Sequence, residues 1–549
     1  MPKGHPYGVL PEGNSFFCDQ QELLVRAYGL GGLRSMKDEA LEEILSFLPS
    51  VDLAGVSLTS RAMYVFAHHS DLWRDLTLRA WPGRPINYVR SWKETYMRAR
   101  GRSCEDNAVG EERTLHMPIC VRGIFSNMLY RTWSCFSSDL STACPGFFTF
   151  CDIDKVDSSF LDSEKFVEQY EAKNIPVVIK NAVNDWHALK RWDSDYLASV
   201  SCGESNNDGK KELLFRATSA TAPMAANFTL AGYFKYARQA CEEAPLYLFE
   251  RDFALKLPTL ENDYNVPIYF RDTATTATAA TTATTVGAKR TDLFSVLGQE
   301  SRPDFRWLIC GPKRSGSIFH IDPNQTNAWN VSVQGRKKWI FYPPQANPPG
   351  VVSSDDGADV TVPICTGEWL LSFWTQHLEM RKANDRSLRP LEVIVDAGDV
   401  IFVPHGYWHM VVNLDDCIAL THNYVSTSNL KDCLRFLRER PDQISGVRDR
   451  PQQAVQPEEL YEVFVGKLQD QVDPRVLERA LRDREGGGER GDTMHLREKQ
   501  QEQRYQAASG VIKRRKKGGN KDKDKDKDKD KDKEEDESVA SFSFSFSFF

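Results

Sequence analysis

The sequence predicts a mainly β central unit with flanking helices, preceded by a small all-α module. Short apolar segments with strand-like alternation recur between residues 316 and 414, which predicts a sheet-rich unit there. A helical stripe of apolar residues between positions 41 and 48 predicts the separate N-terminal module. The chain has 549 residues, 41% of them hydrophobic, so it can fill the cores of two or three domains.

Changes in composition divide the chain into six parts. They are a flexible leader (1–35), a helical module (36–100), a linker or cover on the β unit (101–150), the β unit (151–429), C-terminal helices (430–483) and a disordered low-complexity tail (484–549). A Thr/Ala tract near 273–287 and an acidic, Gly- and Ser-containing stretch near 351–367 predict loop insertions in the β unit.

Charge and cysteine usage exclude several classes of protein. The net charge of −7 and the pI of about 6.0 argue against direct nucleic-acid binding, which needs a concentrated basic face. The 12 cysteines lack paired C-x-x-C spacing, so neither a zinc ribbon nor a disulfide framework is predicted, and a reducing compartment is expected. No apolar run is long enough to span a membrane, and the N-terminus lacks the apolar segment of a secretion signal.

The helical module is predicted from its periodicity. Leu41, Ile44, Leu45 and Leu48 fall at i, i+3, i+4 and i+7, and Pro49 ends that helix. Further short apolar segments follow, and Ser60 is a predicted N-cap. The pattern therefore predicts three or four small helices packed together.

A candidate metal site lies in the β unit. In a strand, His320 and Asp322 point to the same side, because side chains alternate. One imidazole and one carboxylate form two thirds of the facial triad that binds non-haem Fe(II). His409, at the start of a second apolar strand, is the predicted third ligand. His405 lies in the preceding Pro-His-Gly turn and is predicted to be a turn residue.

The segment after Asp322 predicts a β-hairpin, with strands at 328–333 and 337–342 and a turn at 334–335. In the second strand Lys337, Trp339 and Phe341 share one face. A lysine that shares its face of a strand with two aromatic residues is not typical of a solvated face. It indicates a cation placed in a pocket to bind an anion.

These motifs resemble those of the JmjC (jumonji C) oxygenases, which are Fe(II)- and 2-oxoglutarate-dependent enzymes. The resemblance covers roughly residues 152–429 and is strongest to the bifunctional arginine demethylase and lysyl-hydroxylase group and to plant F-box JmjC proteins. It rests on Tyr247 within Pro-Leu-Tyr-Leu-Phe, Arg306-Trp307, Gly311-Pro312, His320 to Pro323, Ala328 to Asn330, Gln334-Gly335 with Lys337 and Trp339, and Trp408-His409 with Asn413-Leu414. The implied fold is a cupin-like double-stranded β-helix, the JmjC barrel.

The resemblance also implies roles for individual residues. His320, Asp322 and His409 would bind Fe(II), leaving positions for 2-oxoglutarate and O2. The distal carboxylate of 2-oxoglutarate would bind Lys337 and Thr421, in a pocket completed by Tyr247, Ser317 and Asn330. Thr421 would return toward His409 through a hairpin. Two positions depart from the demethylase and hydroxylase group: Ser317 replaces Thr and keeps the hydroxyl, and His422 replaces Gln, which leaves open which histidine approaches the substrate.

The helical module resembles an F-box, whose L-x-x-I-L-x-F-L, S-x-x-S and L-W signatures appear at 41–48, 57–60 and 72–73. That resemblance implies docking to the Skp-type adaptor of an SCF (cullin-type) ubiquitin ligase, with Leu48, Pro49 and Leu53 as contacts. The alternative is a helical subdomain packed on the barrel.

Two functions of different classes follow from these resemblances. The first is a 2-oxoglutarate oxygenase that hydroxylates a side-chain carbon or an N-methyl group of arginine or lysine in a protein such as a histone or an RNA-processing protein. The second is a ubiquitin-ligase adaptor whose barrel only recognises a partner; the intact triad with Lys337 and Thr421 favours the first. The JmjC-like motifs speak against a small-molecule binder. The substrate itself stays open among methyl-arginine, methyl-lysine, lysine and an RNA base.

Two further expectations concern location and assembly. The basic run Lys513–Lys517 predicts nuclear localisation, with the cytoplasm as the alternative. The C-terminal helices could close one end of the barrel or form a contact between two copies, so a homo-oligomer is left open.

Overall fold

The structure is a computed structural model and describes residues 4–101, 118–202, 213–271, 292–354, 357–447, 455–469 and 471–482. The Thr/Ala tract, the basic run and the C-terminal tail lie outside these ranges. Within them, every helix is either too short or too polar to cross a lipid bilayer.

In the described residues up to 150, eight α-helices precede the barrel. They are α1 (Gln20–Leu30), α2 (Asp38–Ser46), α3 (Ser50–Val56), α4 (Arg61–Phe66), α5 (Ser70–Ala80), α6 (Trp92–Gly101), α7 (Asn127–Ser137) and α8 (Leu140–Ala143). Ser60 caps α4 as predicted, because its hydroxyl accepts a hydrogen bond from the Met63 amide. Leu41, Leu45 and Leu53 are buried in the core of this module.

The prediction of a flexible leader over residues 1–35 is wrong for its described part. Helix α1 begins after an Asp19 N-cap and packs against α4. The Gly29 carbonyl accepts a hydrogen bond of 2.7 Å from the Ser60 hydroxyl, and a Cβ at Gly29 would lie 2.7 Å from that of Ala62. Gly29 therefore permits the close packing of α1 against α4.

Residues 101–150 were predicted to be a linker or a cover on the β unit, and their described part, 118–150, covers the barrel. Leu140, Cys144 and Phe147 lie in the same apolar core as Phe319 and Trp369 of the β unit. They form a layer on the outer face of the barrel.

Fifteen strands follow within the ranges that the structure describes. They are β1 (Lys155–Asp157), β2 (Val177–Lys180), β3 (Phe215–Thr218), β4 (Ala226–Phe228), β5 (Tyr247–Glu250), β6 (Arg306–Gly311), β7 (Gly316–His320), β8 (Asn327–Gln334), β9 (Lys337–Tyr342), β10 (Val352–Ser353), β11 (Val360–Thr361), β12 (Leu391–Val395), β13 (Val400–Val403), β14 (Trp408–Asn413) and β15 (Cys417–Tyr424).

The strands form two main sheets, with β10 and β11 as a separate hairpin within the predicted 351–367 insertion. The large sheet has the order β1-β2-β13-β8-β15-β6-β5-β3-β4, and the small sheet has the order β12-β9-β14-β7. From β6 to β9, and again from β12 to β15, consecutive strands alternate between the sheets or cross from one to the other. This winding is the cupin-like double-stranded β-helix that the sequence predicted.

The predicted hairpin at 328–342 is wrong in its pairing. Strand β8 pairs with β13 and β15, whereas β9 pairs with β12 and β14. Both edges of β8 are already occupied, so the turn at Gly335 carries the chain from the large sheet to the small one. Gly335 has φ +78°, and a Cβ there would lie 2.5 Å from the Asp416 carbonyl oxygen. The expected hairpin between His409 and Thr421 is wrong for the same reason, because β14 and β15 lie in different sheets.

Ten more α-helices in the described part of the chain flank the strands. They are α9 (Ser163–Phe166), α10 (Ala188–Arg191), α11 (Ser194–Ser201), α12 (Leu230–Ala237), α13 (Phe253–Lys256), α14 (Gly298–Ser301), α15 (Thr366–Arg381), α16 (Leu430–Glu439), α17 (Pro457–Gln469) and α18 (Pro474–Leu481). Helix α16 packs against the turn after Asp322, and the Asn429 side chain donates a hydrogen bond of 2.8 Å to the Gln325 carbonyl. The C-terminal helices therefore close one end of the barrel.

A buried charge network fixes α15 to the outer face of the small sheet. The Lys338 ammonium lies 3.0 Å from Glu392, and neither side chain is exposed. His377 and Arg381 of α15 contact the other oxygen of the same carboxylate, at 3.0 Å and 2.7 Å. Alternation along β9 thus places Lys338 outward and Lys337 inward.

Candidate metal centre

Two histidines face each other across neighbouring strands. His320 ends β7, and the register pairs it directly with His409 on β14, with 4.2 Å between the ring centroids. Asp322 lies two residues beyond the end of β7, but its backbone stays extended (φ −59°, ψ 140°), which keeps its side chain near the same face. Ligand atoms of the three residues all lie within 4.8 Å of one another.

Hydrogen bonds orient both rings. The Nδ1 atoms of His320 and His409 lie 2.8 Å and 3.2 Å from the carbonyl oxygens of Ile318 and Tyr407. A carbonyl can only accept, so each Nδ1 carries the proton and each Nε2 offers its lone pair. His409 Nε2 lies 3.8 Å from Asp322 Oδ1.

Burial prepares this group for a cation. It lowers the pKa of His320 to about 4, with the neighbouring His409 adding to the effect, and it lowers the pKa of His409 to about 4. Both rings are therefore neutral near pH 7. Burial also raises the pKa of Asp322 to about 6, and its Oδ2 is buried without a hydrogen-bond partner. An unpartnered carboxylate oxygen beside two imidazole lone pairs fits Fe(II).

The cosubstrate residues lie on both sheets around one narrow cavity that reaches the triad. On the large sheet, Thr421 pairs with Asn330 on one side and with Trp307 on the other, so the three side chains form a row facing inward. The Thr421 hydroxyl donates a hydrogen bond of 3.0 Å to the Trp329 carbonyl. Asn330 Oδ1 is buried without a partner, and rotation of the amide turns its NH2 group toward an anion.

Lys337 enters the cavity from the small sheet and is 1% exposed. Its ammonium donates hydrogen bonds of 2.8 Å to Asn413 Oδ1 and 3.1 Å to the Tyr247 hydroxyl. Burial alone would lower the pKa of Lys337, but Tyr247 and Cys417 outweigh it and raise the pKa above its ordinary value. Ser317 also lines the cavity. The structure therefore brings all eight predicted metal and cosubstrate residues into one place.

Sequence reasoning did not assign a role to three further residues, of which Trp307 and Asn423 line the cavity and Asn413 contacts Lys337. Asn413 pairs with Lys337 across β14 and β9 and anchors its ammonium. A hydrogen bond from Asn423 opposes the rise in the pKa of Asp322. Asn423 could have been found by parity, since it lies two residues after Thr421 on the same strand.

Two other histidines are excluded from the centre. His405 lies in the predicted turn, 3.2 Å from Asn327 Oδ1 and 3.4 Å from Asp432. His422 points away from the cavity and stacks on Trp329, with 4.3 Å between the ring centroids. Alternation along β15 accounts for this orientation, because the neighbouring Thr421 faces inward.

The predicted partner contacts in the helical module need one correction. Leu53 is completely buried in the core, so it is not available to a partner, and this prediction is wrong. Helix α3 begins directly after Pro49, and Leu53 lies on the side of this helix that packs into the module. Leu48 is half-buried and Pro49 is exposed. Large apolar side chains that are exposed in this stretch include Phe47 (78%), Val51 (60%) and Leu58 (85%).

Comparison with known proteins agrees with this architecture. Residues 163–429 match the cupin-like domain family, and residues 38–79 match the F-box-like family. The chain is 36% identical to arginine-specific demethylase JMJ22 of Arabidopsis thaliana, over 81% of this chain and 78% of that protein. It is 31% identical to the bifunctional arginine demethylase and lysyl-hydroxylase psr-1 of Caenorhabditis elegans, over 51% of this chain and 62% of that protein.

A further relative is the human 2-oxoglutarate and iron-dependent oxygenase JMJD4, which is 28% identical over 50% of this chain and 61% of that protein. The chain thus spans less than two thirds of psr-1 and of JMJD4. With the barrel, the His-Asp-His group and the match to JMJ22 along most of both proteins, the chain belongs to the JmjC family of Fe(II)- and 2-oxoglutarate-dependent oxygenases and carries an F-box-like domain before its barrel.

Proposed function

We propose that this oxygenase acts on an arginine or lysine side chain of a protein, hydroxylating an N-methyl group or a side-chain carbon. The observation that carries the proposal is a cavity of about 910 Å³ whose lining includes His320 and Asp322. This cavity also reaches α16 and the β10–β11 hairpin. It is large enough to admit a peptide side chain to the metal centre.

The charges around this cavity favour a cationic side chain. Asp359, Asp432, Glu439 and Asp442 line it, together with Arg435 and Arg440. Asp432 forms an ion pair with Arg435, whereas Asp359 and Asp442 form no ion pair among the residues that the structure describes. Two acidic groups near the entrance attract a guanidinium or ammonium group and exclude an acidic peptide.

The residues of the chain have separate tasks in the reaction. Bound Fe(II) and 2-oxoglutarate together supply the activation of O2 and the oxidation of a substrate C–H bond. Lys337 and Thr421 would hold the distal carboxylate of 2-oxoglutarate, with Asn330 completing the pocket, which fixes the position of the cosubstrate relative to the triad. Trp339 stacks on His409, with 5.8 Å between the ring centroids, and keeps that side of the metal site dry. A hydroxylated N-methyl group would collapse to formaldehyde and the free amine, whereas a hydroxylated methylene would remain.

The names of the relatives support arginine and lysine as targets, because JMJ22 is called an arginine-specific demethylase and psr-1 an arginine demethylase and lysyl-hydroxylase. The test uses the full chain, loaded with Fe(II) and 2-oxoglutarate without oxygen and then exposed to O2. Histone and splicing-factor peptides carrying methyl-arginine, methyl-lysine or unmodified lysine are analysed by mass spectrometry. Loss of a methyl group or gain of one oxygen is expected. Turnover of 2-oxoglutarate with no change in any of these peptides would contradict the proposal.

A matched pair of variants tests the acidic entrance. Asp442→Asn should raise KM for a cationic peptide by roughly twofold to fivefold without changing the KM for 2-oxoglutarate, since exposed charge pairs contribute up to about 0.5–1 kcal/mol. Glu379→Gln changes an exposed acid that is paired with Lys382 on the far side of α15 and should change neither value. Equal effects of both substitutions would mean that the entrance charges do not select the substrate.

The F-box-like domain supports a second function, docking to a Skp-type adaptor of an SCF ubiquitin ligase. Phe47 and Leu58 are exposed in this domain, and apolar side chains of that size are commonly covered by a partner. A purified Skp-type adaptor should bind the full chain, and Phe47→Asp should weaken that binding at least tenfold. Phe160→Asp, at a side chain that is 77% exposed outside this domain, is the control. Equal binding of both variants would exclude this surface.

The remaining expectations stay part of the proposal. A nuclear location would give the enzyme access to histones or RNA-processing proteins, and the cytoplasm is the alternative. Whether two copies associate is decided by measuring the mass of the purified chain in solution.

A further inference from the structure

A second group of metal-ligating side chains lies outside the iron centre. Cys135 lies in the last turn of α7, Cys365 is the N-cap of α15, and Glu243 precedes β5. The two sulfur atoms and one carboxylate oxygen all lie within 4.8 Å of one another. Among the described residues, this group and the His-Asp-His triad are the two that bring three such ligands together.

The surrounding structure holds the two thiols close. Gly367 allows the first turn of α15 to lie against the end of α7, because a Cβ there would be 2.6 Å from the Cys135 carbonyl oxygen. Cys365 Sγ accepts a hydrogen bond of 3.2 Å from the Glu368 amide, which fixes the direction of its sulfur. Cys135 and Cys365 are 3% and 7% exposed. The positions of both sulfur atoms are therefore built into the packing of the two helices.

We propose that Cys135, Glu243 and Cys365 bind Zn(II), with a water molecule as the fourth ligand. Thiolate sulfur favours zinc over calcium or magnesium, and two sulfurs with one carboxylate are compatible with tetrahedral coordination. In such a site, sulfur and oxygen ligands lie roughly 3.5–3.8 Å apart, since Zn–S is about 2.3 Å and Zn–O about 2.1 Å. Cys135 Sγ already lies 3.4 Å from Glu243 Oε1.

The local charges are consistent with a cation. Contact with Cys365, burial and the nearby Glu243 carboxylate all raise the pKa of Cys135, so proximity to these groups disfavours its thiolate unless a positive charge is added. Arg131 lies 3.5 Å from Glu243 and 3.3 Å from Glu368, and its side chain is 44% exposed. It can keep its pair with Glu368 and leave Glu243 to the metal. Zinc would displace the thiol protons on binding.

The same contacts disfavour a disulfide between the two cysteines. Thiol–disulfide exchange requires a thiolate, and contact with Cys365, burial and the Glu243 carboxylate raise the pKa of Cys135 and disfavour its thiolate. Zinc would join three segments that are distant in sequence: the cover on the barrel, the strand segment leading to Tyr247 of the cosubstrate pocket, and α15. Its predicted role is to stabilise the attachment of the cover to the barrel.

The test uses Co(II) and Zn(II) on the purified full chain carrying Asp322→Ala, so that the iron centre does not compete. One equivalent of Co(II) should produce near-ultraviolet thiolate-to-cobalt charge-transfer absorption, which the iron centre lacks because it has no sulfur ligand. Zn(II) should remove this absorption and raise the Tm. Cys135→Ser and Cys365→Ser should each abolish both effects.

Two controls separate binding from misfolding. Serine is a good N-cap, so Cys365→Ser should preserve α15 and the circular dichroism spectrum of the chain. Cys433→Ser alters an equally buried cysteine in α16 and should keep the cobalt absorption. Absorption that survives both Cys135→Ser and Cys365→Ser would overturn the proposal. The absence of absorption in a normally folded chain would also overturn it. So would a count of ten free thiols in place of 12, if the two missing thiols are Cys135 and Cys365, since that result would show a disulfide between them.

Discussion

Lys337→Met tests whether the buried lysine binds the distal carboxylate of 2-oxoglutarate. The Lys337 ammonium is hydrogen-bonded to Asn413 and Tyr247, and no acidic side chain among the described residues forms an ion pair with it. A buried cation with neutral neighbours is stabilised by an anion that enters the cavity. Methionine keeps most of the length and volume of the side chain while removing the charge and all three donors.

The magnitude follows from the hydrogen bonds that are lost. A hydrogen bond to a charged group contributes about 1.5–3 kcal/mol when it is buried, so the Kd of 2-oxoglutarate should rise about 10- to 150-fold. A smaller effect would indicate that Thr421 and Asn330 bind most of the carboxylate. A larger effect would indicate that the carboxylate is left without any cation in a buried site.

The assay measures equilibrium binding to the Fe(II)-loaded chain without oxygen, comparing 2-oxoglutarate with 2-oxopentanoate. The second compound has the same length but carries a methyl group in place of the distal carboxylate. The wild-type chain should prefer 2-oxoglutarate at least tenfold, and Lys337→Met should lose that preference. Lys338→Met is the matched control, because Lys338 faces the opposite side of β9 and pairs with Glu392. A preference that survives Lys337→Met would refute this role.

Three further predictions test other parts of the structure. Glu392→Gln should lower the free energy of unfolding by about 3–5 kcal/mol in chemical denaturation, since it leaves the buried Lys338 ammonium without its ion-pair partner; a loss below about 1 kcal/mol would contradict this. Glu42 outweighs the effect of burial and raises the pKa of His69 to about 9, so this pair stabilises the fold fully below the ordinary histidine value of 6.5 and loses its contribution as the pH rises through 9. The difference in unfolding free energy between wild type and His69→Gln, up to about 3 kcal/mol, should therefore shrink between pH 7 and pH 10, and a constant difference would exclude the pair as its cause. Gly311→Ala places a Cβ 2.3 Å from the Tyr247 ring and should weaken 2-oxoglutarate binding by roughly tenfold, whereas unchanged binding would mean that the ring moves without consequence.

Alternation along single strands was enough to place His320 and Asp322 on one face and Lys337 in a pocket, whereas Thr421, Tyr247, Ser317 and Asn330 were predicted from the resemblance to the JmjC family. His320 and Asp322 keep the same side because the backbone stays extended beyond β7, and Lys337 faces inward because β9 is regular. Local periodicity determines which face a side chain occupies, and this information lies within a few residues of the chain. The family motifs then supplied the roles.

Pairing between strands could not be predicted in the same way. The turn at Gln334 and Gly335 has the composition of a hairpin, yet each flanking strand pairs with partners more than 50 residues away in sequence. Leu53 was misassigned because a stripe of apolar residues does not show which of them pack inside a module. Asn413 was missed as a hydrogen-bond partner of Lys337 because its position opposite that lysine depends on the register of β14 with β9.

The central claim is that His320, Asp322 and His409 hold Fe(II) where 2-oxoglutarate can chelate it. Its most direct test is the visible absorption that appears when 2-oxoglutarate binds Fe(II) in the purified chain without oxygen. The wild-type chain and His405→Ala should both show this absorption, with one equivalent of iron, and Asp322→Ala and His409→Ala should not. Full absorption in His409→Ala, or its loss in His405→Ala, would contradict the account.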